Sequence, residues 1–554
     1  MGVRGDAAVR ELADQVWERV LDRDPVAALR CRGGQLEALP RGGAAAMEHD
    51  VSAAAAALAR LTGFDGVEAA FLRDHLAQEV AEAQRFWYRF PVTPYNAYPL
   101  HAYRSEIFAV AGFRDGSDVD RYLALLDDYV ALVEQLGETM AGQRKRGIRL
   151  PVWAVPEAAA TVRGHATASS ALVVAPERVA GLAPGQAGRL ADGVARVVEG
   201  RLAAAYRRLL EDLAADAREA GEGTGVGQYP GGADCYAGLI RLHTGLDVAA
   251  DEVHAIGLAE VERITARIHD ELGVTDEPGY RRRLTAEPGM YASSPAELER
   301  LFQGHIERLL PYLPRYFDRI PAAPFVLRPL DASLSGLTYG FYQPPVTGSP
   351  GYYYYNAVNL ASRPLVQAAS VIYHEGLPGH HMQMGRLAEN TALHPIRRQM
   401  TELRTFALNG YLEGWAEYAA GLCDEIGLYA DPVDRYGRLS SERFQAARLV
   451  VDTGLNVLGW PRERAAAYLR ASGFLADMEI STELLRYAVD DPGQALAYHL
   501  GHWYLRELRG TRDPRQFHED VLAEGPLPLA ILGHQLNAGP NPPRKPNIPP
   551  GSPL

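Results

Sequence analysis

The sequence predicts a mainly α-helical protein that carries one small antiparallel β hairpin or sheet. Three observations lead there. Apolar residues recur at three- and four-residue spacing through most of the chain, the signature of helices with one buried face. No run of 18 apolar residues occurs, so none of these helices is expected to cross a membrane. One segment, Phe325 to Val358, breaks the pattern with dense aromatic residues punctuated by glycine.

The helical spacing runs through Asp6 to Leu21, Ala53 to Leu61, Val67 to Arg89, Val119 to Met140, Ala187 to Glu219 and Ala250 to Leu272. It continues through Pro295 to Leu313, Leu365 to Gly385, Arg398 to Ile426, Tyr436 to Leu455 and Arg462 to Ser472. Ser294 and Glu297 ahead of Leu301 and Phe302 read as a capping box. Gly336, Gly340, Gly348 and Gly351, with Phe341, Tyr342 and the run Tyr352 to Tyr355, read as the hairpin or sheet, directly before the helix that starts near Leu365. Residues 1–230 read as a helical N-terminal region, followed by a second region over residues 231–536. Residues 537–554, rich in proline, read as an extended tail.

Composition removes several function classes. The 554 residues carry 56 basic and 69 acidic side chains, a formal charge of −13, which argues against nucleic acid or an anionic membrane as partner. Lys145 and Lys545 are the two lysines, which leaves almost no place for a Schiff base or a phosphate-cradling lysine. Neither G-x-x-x-x-G-K-[ST] nor G-x-S-x-G occurs. Cys31, Cys235 and Cys423 are odd in number and far apart, so no disulfide framework is expected. The N-terminal segment reads as an amphipathic helix and not a signal peptide, and the cytoplasm is the expected compartment.

Chemistry concentrates in His374-Glu375-Gly376-Leu377-Pro378-Gly379-His380-His381. In the H-E-x-x-H pattern two imidazoles one turn apart reach one zinc ion, and the Glu acts on the metal's water as general base. Here the fourth residue after His374 is Pro378, and neither a six- nor a seven-residue spacing brings two imidazoles together on a regular helix. A kink absorbing two residues at Pro378 and Gly379 restores the relation to His380, with His381 as the alternative. The third ligand expected is Glu413, in Tyr411-Leu-Glu-Gly-Trp-Ala-Glu-Tyr418. Glu417, one turn on, either replaces it or orients a histidine.

With these residues in view, the chain resembles the bacterial DUF885 family of zincin-like proteins. The resemblance rests on His374 to Gln383 (HEGLPGHHMQ), Glu413 to Tyr418 (EGWAEY), Arg448 to Leu455 (RLVVDTGL), Pro492 to Tyr498 (PGQALAY) and Gly525 to Leu529 (GPLPL). It implies a large multi-helical, metallopeptidase-like fold, with residues 231–536 packed with the N-terminal region around a substrate channel, in which His374, His380 and Glu413 hold zinc and Glu375 is the general base. One departure stands out: Asn456 occupies a position where the family commonly has His, which puts a substrate or oxyanion contact in doubt.

The expected function is zinc-dependent hydrolysis of amide bonds in short peptides or peptide-like small molecules. Tyr498 is the expected oxyanion donor, though an ordinary packing role explains it equally. Arg448 is a candidate for a substrate carboxylate, and Asn456 is a third contact to weigh. An edge strand around Tyr352 to Asn356, with Tyr354 as substrate contact, would pair with an extended peptide. Two alternatives stay open: a biosynthetic tailoring enzyme using the same metal on an amide or acyl substrate, and a non-catalytic binding protein on a zincin scaffold.

Overall fold

A computed structural model describes residues 3–331, 340–346, 348–399 and 408–537. The chain divides into two compact units. Unit 1 takes Met1–Asp65, Leu72–Gly238 and Leu485–Pro492; unit 2 takes Gly66–Phe71, Leu239–Leu484 and Gly493–Leu554. No described helix is long and apolar enough to cross a membrane.

Unit 1 is helical among its described residues. Its long helix α1 (Gly116–Arg144) starts where the Asp115 carboxylate accepts the N–H of Ser117, and buries Val119, Tyr122, Leu126, Tyr129, Val130 and Val133. Helices α2 (Val155–Ala168) and α3 (Ala203–Asp216) pack together beside it. The single helix expected over Ala187 to Glu219 is a composite: an α-helix Pro184–Ala195, a π-helical turn Arg196–Leu202, then α3. A π turn continues the rod without breaking the run of helical spacing, so periodicity does not reveal it.

In unit 2, α4 (Ala250–Leu272) lies along a later helix, α9 (Pro432–Asn456), at very close range. A Cβ on Gly257 would sit 2.8 Å from side-chain atoms of both Leu449 and Val450, so only glycine allows the approach. Helix α9, capped by the Asp431 carboxylate with Pro432 in its first turn, is buried from Tyr436 to Asn456 apart from Ser441. Its buried charges survive because they are paired, Arg438 with Glu417 and Arg443 with Glu277.

After α5 (Pro295–Leu309) come β1 (Phe325–Pro329), β2 (Gly340–Gln343) and β3 (Gly351–Tyr355). The sheet order is β1-β3-β2; β1 runs parallel to β3 and β2 antiparallel to it. The expected antiparallel sheet is thus a mixed one: β2 lies between β1 and β3 in sequence and runs the other way, so β3 returns alongside β1 in the same direction. The expected edge strand is also corrected: the tyrosine run lies in the central strand, with both its edges already paired. Along β3, Gly351, Tyr353 and Tyr355 are buried while Tyr352 and Tyr354 alternate onto the opposite face.

Helices α6 (Ala368–Glu375) and α7 (His380–Glu389) replace the single kinked helix expected over Leu365 to Gly385. The kink is a full four-residue break. Helix α8 (Asn409–Glu425) follows, and residues 400–407 of the helix expected over Arg398 to Ile426 lie outside the described residues, as do 538–554 of the expected tail. Helix α10 (Leu496–Arg509) packs on α8 through glycines: a Cβ on Gly501 would meet the Gly410 carbonyl oxygen at 2.2 Å, and one on Gly414 would meet Gly501 at 2.6 Å.

Candidate metal centre

The break between α6 and α7 brings the two histidines together. A Cβ on Gly379 would lie 1.9 Å from the His374 carbonyl oxygen, so the chain folds back on itself only with glycine there. The His381 N–H donates to the Gly376 carbonyl at 3.0 Å. Trp415 Nε1 donates to the Pro378 carbonyl at 3.1 Å, tying the break to the helix that carries Glu413 and Glu417.

A nitrogen of His374, a nitrogen of His380 and a carboxylate oxygen of Glu413 all lie within 4.8 Å of one another. Glu413 Oε2 is 3.3 Å from His374 Nε2 and 3.4 Å from His380 Nε2. That oxygen is buried and makes no hydrogen bond of good geometry, as expected of a ligand atom aimed at a shared centre. Two imidazoles and one carboxylate are a donor set suited to zinc with an open fourth position, so the residues fit the ion.

The electrostatics favour positive charge at this point. Burial works against a protonated His374, but contact with Glu413 and Glu417 outweighs it and pushes the imidazole pKa up to about 10. Burial likewise opposes ionisation of Glu413, and His374 and His380 overcome it, holding the carboxyl well below the usual range. Glu375 behaves oppositely: burial raises its pKa, and the neighbouring carboxylates of Glu413 and Glu417 add to the rise against the opposing pull of His374 and His380. A carboxylate raised in this way is suited to taking and returning a proton.

Each ring is held from behind. His374 Nδ1 lies 3.0 Å from Glu417 Oε1, and Glu417 is fixed by the fully buried Arg438 at 3.1 Å. Gln445 Nε2 donates to the same Oε1 at 3.4 Å. His380 Nδ1 is 2.9 Å from Gln383 Nε2, which also donates to the Leu412 carbonyl at 2.8 Å.

His381 is placed elsewhere. Its Nε2 lies 2.9 Å from the Ala323 carbonyl, which can only accept, so Nδ1 is the acceptor for the Tyr342 hydroxyl at 2.8 Å. His380, and not its neighbour, therefore joins the cluster. Tyr498 stacks nearly parallel on His374, 15° between planes and 6.2 Å between centroids. Arg448 lies over the Tyr498 ring at 4.6 Å and over Phe444 at 4.4 Å. It donates to Glu483 at 3.1 Å and to Gln445 at 2.6 Å, so a carboxylate already faces the side chain expected to meet substrate.

Two expected contacts are not brought in. Tyr342 and Tyr353 lie close enough to Glu375 for its charge to raise their hydroxyl pKa values further, after burial. Tyr354 is on the other face of β3, stacked on Phe341 at 5.1 Å. Asn456 lies eleven residues, about 16 Å, along α9 from Gln445. Its Nδ2 donates to the Asp452 carbonyl at 2.9 Å and carboxylate at 3.0 Å, and that carboxylate accepts the Gly493 N–H. Sequence reasoning missed Tyr342, Gln383, Arg438 and Gln445. Gln383 alone carried a local signal, one helical turn after His380.

No curated protein matches the chain. Solved structures share the fold. A "putative lipoprotein" from Colwellia psychrerythraea aligns with a TM-score of 0.80 and 23% identity, covering 96% of this chain and 98% of that one. A "putative lipoprotein of unknown function" from Shewanella oneidensis aligns with a TM-score of 0.69 and 15% identity, covering 95% and 98%. Residues 27–536 match the family described as "Bacterial protein of unknown function (DUF885)", and the chain belongs to that family.

Proposed function

We propose that the protein is a zincin-like, zinc-dependent hydrolase that cleaves amide bonds of short peptides or peptide-like small molecules. The observation that carries this reading is the convergence of His374 Nε2, His380 Nε2 and Glu413 Oε2, with Glu375 beside them. Zinc, when bound, supplies Lewis acidity that acidifies a water and polarises a carbonyl. Glu375 takes the proton of the attacking water and returns it to the leaving amine. Glu417 keeps the His374 ring in one orientation, and the Tyr498 hydroxyl donates to the oxyanion. A cytoplasmic setting is part of this reading; the two neighbours are named putative lipoproteins, and cell fractionation decides for this chain.

The test is elemental analysis of untagged protein beside Glu413→Ala, followed by a peptide-library assay. One zinc per chain, lost in the variant, with hydrolysis abolished in Glu375→Gln, is the expected result. Protein that takes up no metal on reconstitution overturns the metal centre. Zinc-loaded protein inert on every peptide overturns the peptidase reading and turns attention to other amide and acyl substrates.

A further inference from the structure

A second site lies in unit 1, around Arg104 at the start of the π-helical turn Arg104–Phe108. The side chain is deeply buried, the residue being 6% exposed. Arginine does not shed its charge on burial, and an uncompensated buried cation is costly. The equally buried Arg85, Arg386, Arg397, Arg438, Arg443 and Arg448 each face a carboxylate within 4 Å. Arg104 has no such partner among the described residues; its one hydrogen bond runs from Nη1 to the Tyr129 hydroxyl at 2.7 Å.

Among the described residues, the groups shown to interact with Arg104 supply no counter-charge. Tyr129, on α1, lies 3.2 Å from the hydroxyl of Tyr206, on α3. Burial raises both hydroxyl pKa values, so both stay protonated. His165, on α2, is close enough to feel the Arg104 charge. Burial first, then Arg104 and His101, push its pKa down to about 4, so it is neutral. Its Nδ1 is buried without a hydrogen-bond partner. The Nε and Nη2 edge of Arg104, the edge that presents two parallel N–H groups, is unused among the described residues.

We propose that this cluster is an anion-binding site, in which the Arg104 fork, with Tyr129, Tyr206 and His165 around it, receives a small oxyanion: the carboxylate or phosphate group of a metabolite-sized molecule. The bound group is the counter-ion that the fold itself omits. The site is independent of the metal centre and stands or falls without it.

The test is thermal melting of the full-length protein in acetate, in inorganic phosphate and in chloride at matched ionic strength. Acetate or phosphate raises Tm by about 2 °C or more over chloride, and the stronger of the two identifies the oxyanion. Arg104→Met abolishes the rise. In chloride that variant melts no lower than wild type, because the unpaired charge is gone. Where Arg104→Met does not fold, Arg104→Lys keeps charge without the fork: an apparent affinity at least tenfold weaker supports the site, and an unchanged one overturns it. Glu413→Ala keeps the response, and its loss there would move the anion to the metal centre. No rise over chloride, or a rise retained in Arg104→Met, also overturns the proposal.

Discussion

Glu417 Oε1 lies 3.0 Å from Nδ1 of His374, while Glu413, one turn earlier on α8, faces Nε2 of the same ring at 3.3 Å. One helix thus presents two carboxylates to the two nitrogens of one imidazole. The i, i+4 spacing makes this possible, and Trp415 between them anchors the break that carries the ring. The two roles differ because Glu417 is also gripped by Arg438, whereas Glu413 Oε2 has no other partner of good geometry.

Glu417→Gln removes the negative charge from the acceptor that faces His374 Nδ1. Zinc affinity is expected to fall about 10- to 100-fold with the helical content unchanged. Competition against a chromogenic chelator reads it, and an affinity equal to wild type means that Glu417 serves packing alone.

Glu375→Gln keeps the shape of the side chain and removes its basicity. Turnover on a peptide substrate is expected to fall about 10²- to 10⁴-fold while the zinc content stays at the wild-type value. A variant that retains full turnover assigns the proton transfer to another group.

What the sequence displayed and what it hid divide along contact distance. His374, Glu375, His380 and Glu413 stand out because ligand-type residues cluster within short segments, and Pro378 with Gly379 announces the break between α6 and α7. Hidden were the pairings that only the fold creates. Arg448 looks free in sequence, but Glu483, 35 residues later, takes its guanidinium. Tyr342 is one aromatic residue among many until β2 sets it against His381. The tyrosine run shows a strand, yet nothing local says that Phe325–Pro329 will pair beside it in parallel and make it central. Strand pleat then decides that Tyr353, not Tyr354, faces the side of Glu375, a one-residue distinction that composition does not carry.

Gly379→Ala and Gly304→Ala form a matched pair. A Cβ at 379 would meet the backbone oxygens of His374 and Tyr373 at 1.9 and 2.6 Å, and neither can move without opening the break. A loss of about 2 kcal/mol or more, with zinc binding lost, is expected. Gly304 sits inside α5 with nothing within 4 Å of its Cβ, so alanine there is expected to stabilise by up to about 1 kcal/mol. Urea unfolding separates the two, and equal effects would contradict the packing described for the break.

Acid sensitivity is expected to have an identifiable source in Glu277. Its carboxylate accepts from Arg443 Nη1 at 2.9 Å, Arg281 Nη2 at 2.6 Å and the Tyr436 hydroxyl at 2.7 Å. Burial works to raise its pKa; Arg443, Arg281 and Tyr436 outweigh it and bring the value down to about 2, against 4.5 for a free glutamate. With the folded value below the unfolded one, the unfolded chain binds more protons between these limits. The stabilisation is therefore complete above pH 4.5 and is lost as pH falls toward 2. Before solvent screening reduces it, it amounts to about 3 kcal/mol, of which about 60% is gone at pH 3. Glu277→Gln cannot titrate, so it starts less stable at pH 6 and loses less on acidification. Urea midpoints for both proteins at pH 6 and pH 3 are expected to converge, and a constant gap between them would mean that Glu277 does not change its protonation in this range.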